Sequence, residues 1–414
     1  MSAGRRSQTA ATTITLSSPR LIFVNRVYWP STAATAQLLT DLAEGLAARG
    51  WSVHVIATGE VSGPHHGVTI HRTGTAEQPG GLISRALHHR QFMRAARRQL
   101  AALARPGDIV VPMTDPPLLG VALTRAAVAR GAKVVHWIQD IYPEIATVHF
   151  GPLAGFALAP LKVSRDSAWR AAATCVTLGE DMARTVASRG VPADRLAIIP
   201  NWAPRELQQP ADPAAIAECR QRWGLAGKFV VAYSGNLGRV HEFATILQAA
   251  DLLRDNPAVV FLFIGQGARF SEVEATARAR GLGSVRLLPP EPRENLAASL
   301  AAADAQLVTL RPEYSALVYP SKLAGVLAAG RPVLFVGPPD GDIAHLLQRE
   351  KCGEALAPGD AAGLAAVIIR WQAEADLRRR LGTNARAAYQ RTFTGHAALT
   401  LWDELLRRLG GPPA

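Results

Sequence analysis

The segment Tyr319-Pro320-Ser321-Lys322-Leu323 opens an apolar stretch that closes at Ala328-Ala329-Gly330-Arg331-Pro332-Val333. Pro320 suits the first turn of a helix, where its missing N–H is not needed. The free N–H groups and dipole of such a helix start, at Ser321, favour a diphosphate, and Lys322 adds a point charge. An ordinary capped helix with an exposed lysine would read the same way. A second candidate is Tyr233-Ser234-Gly235-Asn236-Leu237-Gly238-Arg239. Gly235 and Gly238, on either side of Asn236, let backbone approach a ligand closely, and Arg239 is able to neutralise a phosphate. A plain strand-to-helix turn is the alternative. Gly265-Gln266-Gly267 also follows an apolar run, but Phe270 stands where a dinucleotide fingerprint needs its third glycine. That argues against a nicotinamide cofactor. The last candidate is His136-Trp137-Ile138-Gln139-Asp140-Ile141-Tyr142-Pro143-Glu144. Asp140, just past a strand, can orient an acceptor hydroxyl. Alternatively it caps a helix, with Glu144 on a solvated face.

These segments need strands behind them, because open α/β sheets bind ligands at the carboxyl ends of their strands. Apolar runs at 21–25, 51–57, 108–112, 132–138, 173–178 and 196–199 alternate with helical spacing at 36–49 and 118–130. A Pro-bearing polar stretch follows, from Pro200 to Pro213. The rhythm then restarts with strands at 228–234, 259–264, 285–288, 305–310 and 332–336 and helices between them. The expected fold class is α/β: two tandem Rossmann-like domains facing each other across a cleft. The boundaries read as a disordered tail over 1–19, a first domain over 20–204 that holds the acceptor, and a second over 205–394 that holds the donor. Residues 395–414 form a last helix able to pack back on the first domain.

A chain of 414 residues with 48% hydrophobic and 19% charged residues has the makings of two real cores. The net charge of +12 and pI of about 10.3 attract polyanions. A nucleic-acid role would rest on that charge alone, without aromatic-basic interleaving, and none is expected. Cys175, Cys219 and Cys352 are far apart, which fits free thiols and no zinc framework. No apolar stretch is long enough to span a bilayer, and the tail lacks a signal-peptide core, so a cytoplasmic protein is expected. Two features suggest peripheral contact with the inner membrane. Over 82–105, Arg90, Arg94, Arg97 and Arg98 share one helical face beside Met93, Ala96, Leu100 and Leu103. Phe150 to Leu161 is an apolar run followed by Lys162, Arg165 and Arg170. A core-packed helix and a buried loop are the structural alternatives.

In this order the segments resemble the retaining glycosyltransferases of family 4, which have the GT-B architecture. The bacterial surface-polysaccharide branch with fucosamine-type transferases is the nearest likeness. The residues that carry it are Trp29-Pro30 with the helix ending at Gly50, Gln139-Asp140-Ile141-Tyr142-Pro143-Glu144, Ile199-Pro200-Asn201-Trp202, Tyr233 to Gly238, and Pro320-Ser321-Lys322-Leu323 with Ala329-Gly330-Arg331-Pro332-Val333. The resemblance implies transfer from a nucleotide-diphosphate sugar, as substrate, with no cofactor and no metal. Retention follows if the leaving diphosphate takes the proton of the incoming hydroxyl on the same face. Asp140, Arg239 and Lys322 are the implied catalytic residues. Gly235, Asn236, Gly265, Leu288, Pro320 and Ser321 are implied donor contacts, and a polyprenyl-diphosphate-linked sugar is the implied acceptor. The chain departs from the family at three places. Leu317 and Gly325 stand where two glutamates flank seven residues, with Glu313 out of register. His241 and Glu242 stand where a lysine is usual, and Lys322 is expected to take over its charge. Competing readings are a nucleotide-sugar 2-epimerase and a nucleotide-sugar-binding protein without catalysis.

Overall fold

The computed structural model describes residues 19–74 and 81–410. Most of the expected tail (1–18) and the last four residues lie outside the described residues. The described chain folds into two sheets. The first comprises β1 (Arg20–Val24), β2 (Ser52–Ala57), β3 (Gly63–His65), β4 (Val68–Arg72), β5 (Ile109–Pro112), β6 (Lys133–Trp137), β7 (Thr174–Thr177) and β8 (Leu196–Ile198). Their order is β3-β4-β2-β1-β5-β6-β7-β8. The second comprises β9 (Phe229–Ser234), β10 (Val259–Ile264), β11 (Val285–Leu288), β12 (Ala305–Thr309), β13 (Val333–Val336) and β14 (Gly353–Leu356). Their order is β11-β10-β9-β12-β13-β14. All pairs are parallel except β3 with β4.

Parallel strands covered on both faces read as continuous apolar runs, and β1, β9 and β10 do. Phe261 and Phe263 of β10 are fully buried on one face of the second sheet, and Val260, Leu262 and Ile264 fill the other. Each sheet reverses its order once, beside β1 and beside β9. Those switch points open a crevice at the carboxyl ends of the strands, and the two crevices face each other.

Two crossings join the domains. The first runs from Ile199 to the helix Pro213–Arg222, which Asp212 caps by accepting from the Ala214 N–H at 3.0 Å. The second lies between the helices Ala375–Thr392 and Gly395–Arg408. The crossings touch: the Ala203 N–H donates to the Phe393 carbonyl at 3.0 Å. The last helix packs on the first domain. Its Trp402 sits edge-on to Trp137 at 5.0 Å and joins Leu21, Phe23 and Leu42 in one core cluster. Trp51 Nε1–H donates to Asp403 at 2.7 Å.

The structure corrects the reading of the arginine-bearing helix, Leu82–Leu103. Arg90, Arg94, Arg97 and Arg98 are exposed, but Phe92, Ala96 and Leu100 are buried in the first domain's core, with Met93 and Leu103 against them. That apolar stripe already has its partner and is not free for a bilayer. The run after Phe150 is no buried loop either. It forms the helices Pro152–Ala157 and Ala159–Ala171, with Phe150, Leu153 and Phe156 exposed at 65%, 84% and 82%.

Candidate functional site

Between the facing crevices lies a cavity of about 210 Å³ with walls from both domains. Gln37, Leu38 and Asp41 of the helix Ala34–Ala48 line one side, and Asn201, Trp202 and Leu207 of the linker line the floor. Ser234, Gly235, Ser321, Lys322 and Gly325 supply the opposite wall, with Arg293 near its edge.

Lys322 is the chemical centre of this wall. It is the first residue of the seven-residue helix Lys322–Ala328, and Ser321 precedes it without a side-chain capping bond. Its Nζ is shielded from solvent and has no hydrogen-bond partner. It rests 3.3 Å from the centre of the Tyr233 ring, beside Gly235. Burial pushes its pKa well below the usual lysine range. A buried cation with no anion is costly, so the site favours an anionic ligand at this atom. The expectation of an exposed lysine on a capped helix is not met. At the usual lysine position, His241 is buried, and its Nδ1–H donates to the Thr309 carbonyl at 2.8 Å. Burial, then the Lys322 charge, holds His241 down to about 3, so it is neutral. Glu242 caps the helix Ala244–Leu252 by accepting from the Ala244 N–H at 3.0 Å.

The two glycine loops are packed on each other. A Cβ on Gly265 would stand 2.0 Å from the Gly235 carbonyl oxygen, and one on Gly267 would stand 2.6 Å from that of Leu237. Both glycines have positive φ, +149° and +147°. Gly265 N–H donates to the Leu288 carbonyl at 3.0 Å, and Gly235 N–H to that of Ile264 at 2.9 Å. Asn236 is exposed, and its carbonyl accepts from the Tyr233 hydroxyl at 2.7 Å. The Gly-Gln-Gly signal is therefore explained by backbone packing behind the Gly235 loop.

Asp140 and Arg239 do not line the cavity around Lys322. Asp140 is half-buried and forms a backbone bridge with Val318 of the other domain. Its neighbour Ile141 donates its N–H to the Leu317 carbonyl at 2.8 Å. Burial first, then the charge of Asp115, raises Asp140 to about 6. Arg239 is exposed and reaches across the cleft to His149. Pro320 is buried just before the lysine helix. Glu144 is not on a solvated face: it is buried against Arg165, whose two terminal nitrogens donate to it at 2.5 and 2.8 Å.

The places where glutamates were missing have physical occupants. Leu317 is buried at the domain contact. At Gly325, an added Cβ would meet the Leu207 side chain at 3.2 Å, so the linker fills that space. Sequence reasoning did not assign Asp41, Asn201, Trp202 or Arg293 to the cavity. Asn201-Trp202 was visible as a motif, and its function here is structural as well. Asn201 and Gln139 exchange two buried amide bonds, 2.7 and 3.1 Å, tying the linker to the end of β6.

A third domain contact is symmetrical. Asp181 opens the helix Glu180–Ser188 of the first domain, and Asp342 opens Asp342–Glu350 of the second. The Asp181 N–H donates to Asp342 Oδ2 at 2.7 Å, and the Asp342 N–H donates to Asp181 Oδ2 at 3.0 Å. Each carboxylate caps the other helix.

With this geometry established, comparison with known proteins is informative. Residues 34–202 match the family model of the glycosyl transferase 4-like domain, and residues 216–388 match that of the glycosyl transferases group 1. A curated Pseudomonas aeruginosa protein named "Probable glycosyltransferase WbjE" is 29% identical over 75% of this chain and 77% of its own length. The Escherichia coli (strain K12) protein WcaI, provisionally named a colanic acid biosynthesis glycosyl transferase, is 32% identical over 37% of this chain and 38% of its own. Among solved structures, Anabaena HepE in complex with UDP and glucose superposes with a TM-score of 0.71 at 17% identity, covering 94% of this chain and all of that one. The two-domain architecture is the GT-B fold.

Proposed function

We propose, from the premise that both halves of this chain are glycosyltransferase domains, that it moves a sugar from a nucleotide-sugar donor onto a glycan or lipid-linked glycan acceptor in cell-surface polysaccharide synthesis, retaining the anomeric configuration. The observation that carries this reading is Lys322: a shielded amino group without a hydrogen-bond partner, at a helix start, on a cavity shared by both domains. A donor diphosphate supplies the missing charge. As the glycosidic bond breaks, charge grows on the leaving diphosphate, and Lys322 stabilises it together with the Ser321 helix start. Arg239 reaches the same diphosphate after leaving His149. The diphosphate then takes the proton of the incoming hydroxyl, which Asp140 orients. No metal and no cofactor enters this chemistry. The base and ribose lie along Gly265, Leu288 and Pro320, with Gly235 and Asn236 beside the diphosphate. One relative, WcaI, whose name places it in colanic acid biosynthesis, supports the setting.

The acceptor is a polyprenyl-diphosphate-linked sugar presented at the inner face of the cytoplasmic membrane, which the cytoplasmic protein touches peripherally. Support comes from the exposed Phe150, Leu153 and Phe156, which continue the chain from His149 at the cleft mouth. No helix among the described residues is long and apolar enough to cross a membrane.

The test is release of nucleoside diphosphate from UDP-, GDP- and dTDP-sugars, with and without membranes carrying polyprenyl-linked glycans. Acceptor-dependent release from one donor is the expected result. Lys322→Ala is expected to lower that rate by about 10²–10³, the scale of a lost oxyanion contact. Release without acceptor, or binding without release, would overturn the transferase reading in favour of a 2-epimerase or a binding protein.

A further inference from the structure

The β3–β4 hairpin carries two adjacent histidines at its turn, and neither takes part in the transfer chemistry. His65 ends β3, His66 holds a left-handed backbone at φ 47°, and Gly67 follows at φ 81°. The turn sits on the helix Ala34–Ala48: a Cβ on Gly67 would stand 3.1 Å from the Ala47 Cβ. One turn earlier on that helix, Glu44 faces both rings. Its Oε1 lies 3.6 Å from His65 Nε2 and 3.7 Å from His66 Nδ1. Those distances are too long for hydrogen bonds. A tetrahedral ion with bonds of about 2.0–2.1 Å holds its ligand atoms about 3.4 Å apart. The three ligand atoms lie within 4.8 Å of one another, so small side-chain rotations bring them to that spacing.

We propose that Glu44, His65 and His66 bind a late first-row divalent cation, zinc foremost, with water completing its coordination. Two imidazoles and one carboxylate suit zinc, copper or nickel. Magnesium and calcium prefer all-oxygen sites. Glu44 has an outer partner of the kind that orients metal ligands. Glu44 Oε2 accepts from Arg205 at 3.2 Å, leaving Oε1 for the ion, and the His65 ring stacks on Trp29 at 3.7 Å. The Tyr28 hydroxyl is buried without a partner. His65 lines a separate recess with Arg26, Trp29 and Arg72, not the cavity at Lys322. The ion therefore holds structure: it ties the hairpin to the first helix, and through Arg205 to the linker.

The experiment uses the untagged full chain, stripped with a chelator and titrated with zinc against a chromophoric indicator. The three cysteines are buried and do not compete. One bound equivalent is expected. His66→Ala, which removes an exposed side chain, and Glu44→Gln should each weaken binding by more than the about 10–100-fold of a lost outer partner. Cobalt in place of zinc should give a tetrahedral absorption band that His66→Ala abolishes. Zinc should raise the melting temperature of the wild type and not of His65→Ala/His66→Ala. Binding no stronger than in that double variant, or undiminished in both single variants, overturns the proposal. Nucleoside diphosphate release insensitive to the chelator keeps this site separate from the transferase reading.

Discussion

Single residues set the chemistry, and two of them are held away from their ordinary ionisation. Lys322 loses water on all sides and gains only the face of Tyr233 in exchange. A cation over an aromatic ring recovers about 0.5–2 kcal/mol, less than hydration supplied. On the proposed reading, that imbalance is what an incoming donor diphosphate corrects. Asp140 is displaced the other way, to about 6 from an ordinary 3.8. Between those values the folded state holds the proton more tightly than the unfolded chain. Ionising Asp140 therefore costs stability as pH rises through that window. If its carboxylate orients the acceptor, kcat/KM falls as pH drops below about 6. Asp140→Asn should then lose about 10²–10⁴ in kcat/KM, yet melt higher than wild type at pH 8 and equally at pH 3. Calorimetry at the two pH values, beside the rate profile, checks both halves. A variant that is slow and also less stable at pH 8 would leave Asp140 a purely structural residue. The sequence showed both residues at the ends of elements. It did not show their burial, because Tyr233, Asp115 and Val318 come from distant positions in the chain.

Among the elements, the strands were the legible part. Continuous apolar runs such as Val259–Ile264 have few alternatives to a buried parallel strand. The hairpin of β3 and β4 escaped notice, since Gly63-Pro64-His65 has no alternation and pairs at a sheet edge. The arginine helix misled for a physical reason. Its apolar stripe is as wide as one that lies on lipid, and only the sheet beneath it decides which surface it meets. The glycine loops show the same limit. Glycine spacing at 235 and 265 signals close approach without saying to what, and here it is loop to loop. Gly265→Ala would drive a methyl into the Gly235 carbonyl at 2.0 Å. The expected cost is about 2–4 kcal/mol of stability, from overpacking plus backbone strain. On the proposed reading the displaced backbone carries the diphosphate loop, so donor affinity should fall as well. Urea denaturation and a donor titration test it; unchanged affinity in a destabilised variant would detach this loop from the donor site.

For the whole molecule, the first domain presents an apolar tip beside basic ground. Leu153 and Phe156 are almost fully exposed, with Lys162 nearby and the four arginines of Leu82–Leu103 exposed on the same domain. A surface of this kind attracts anionic bilayers through charge and anchors through apolar insertion. Leu153→Ser/Phe156→Ser should reduce sedimentation with anionic vesicles several-fold and leave binding of free nucleotide-sugar unchanged. Equal sedimentation of variant and wild type would remove the tip from the membrane contact. The two crossings between the domains meet at Ala203 and Phe393. A separate contact between the domains joins Asp181 and Asp342. Burial and the Asp181 charge raise Asp342 to about 6, against the pull of the Asp181 N–H and of Arg184, 4.0 Å away. With this contact broken, the Asp342 carboxyl would return toward its ordinary 3.8. Forming the contact in that interval of acidity would take up hydrogen ion at Asp342, and breaking it would return it. Mild acid would thus strengthen the tie between the two domains at this contact.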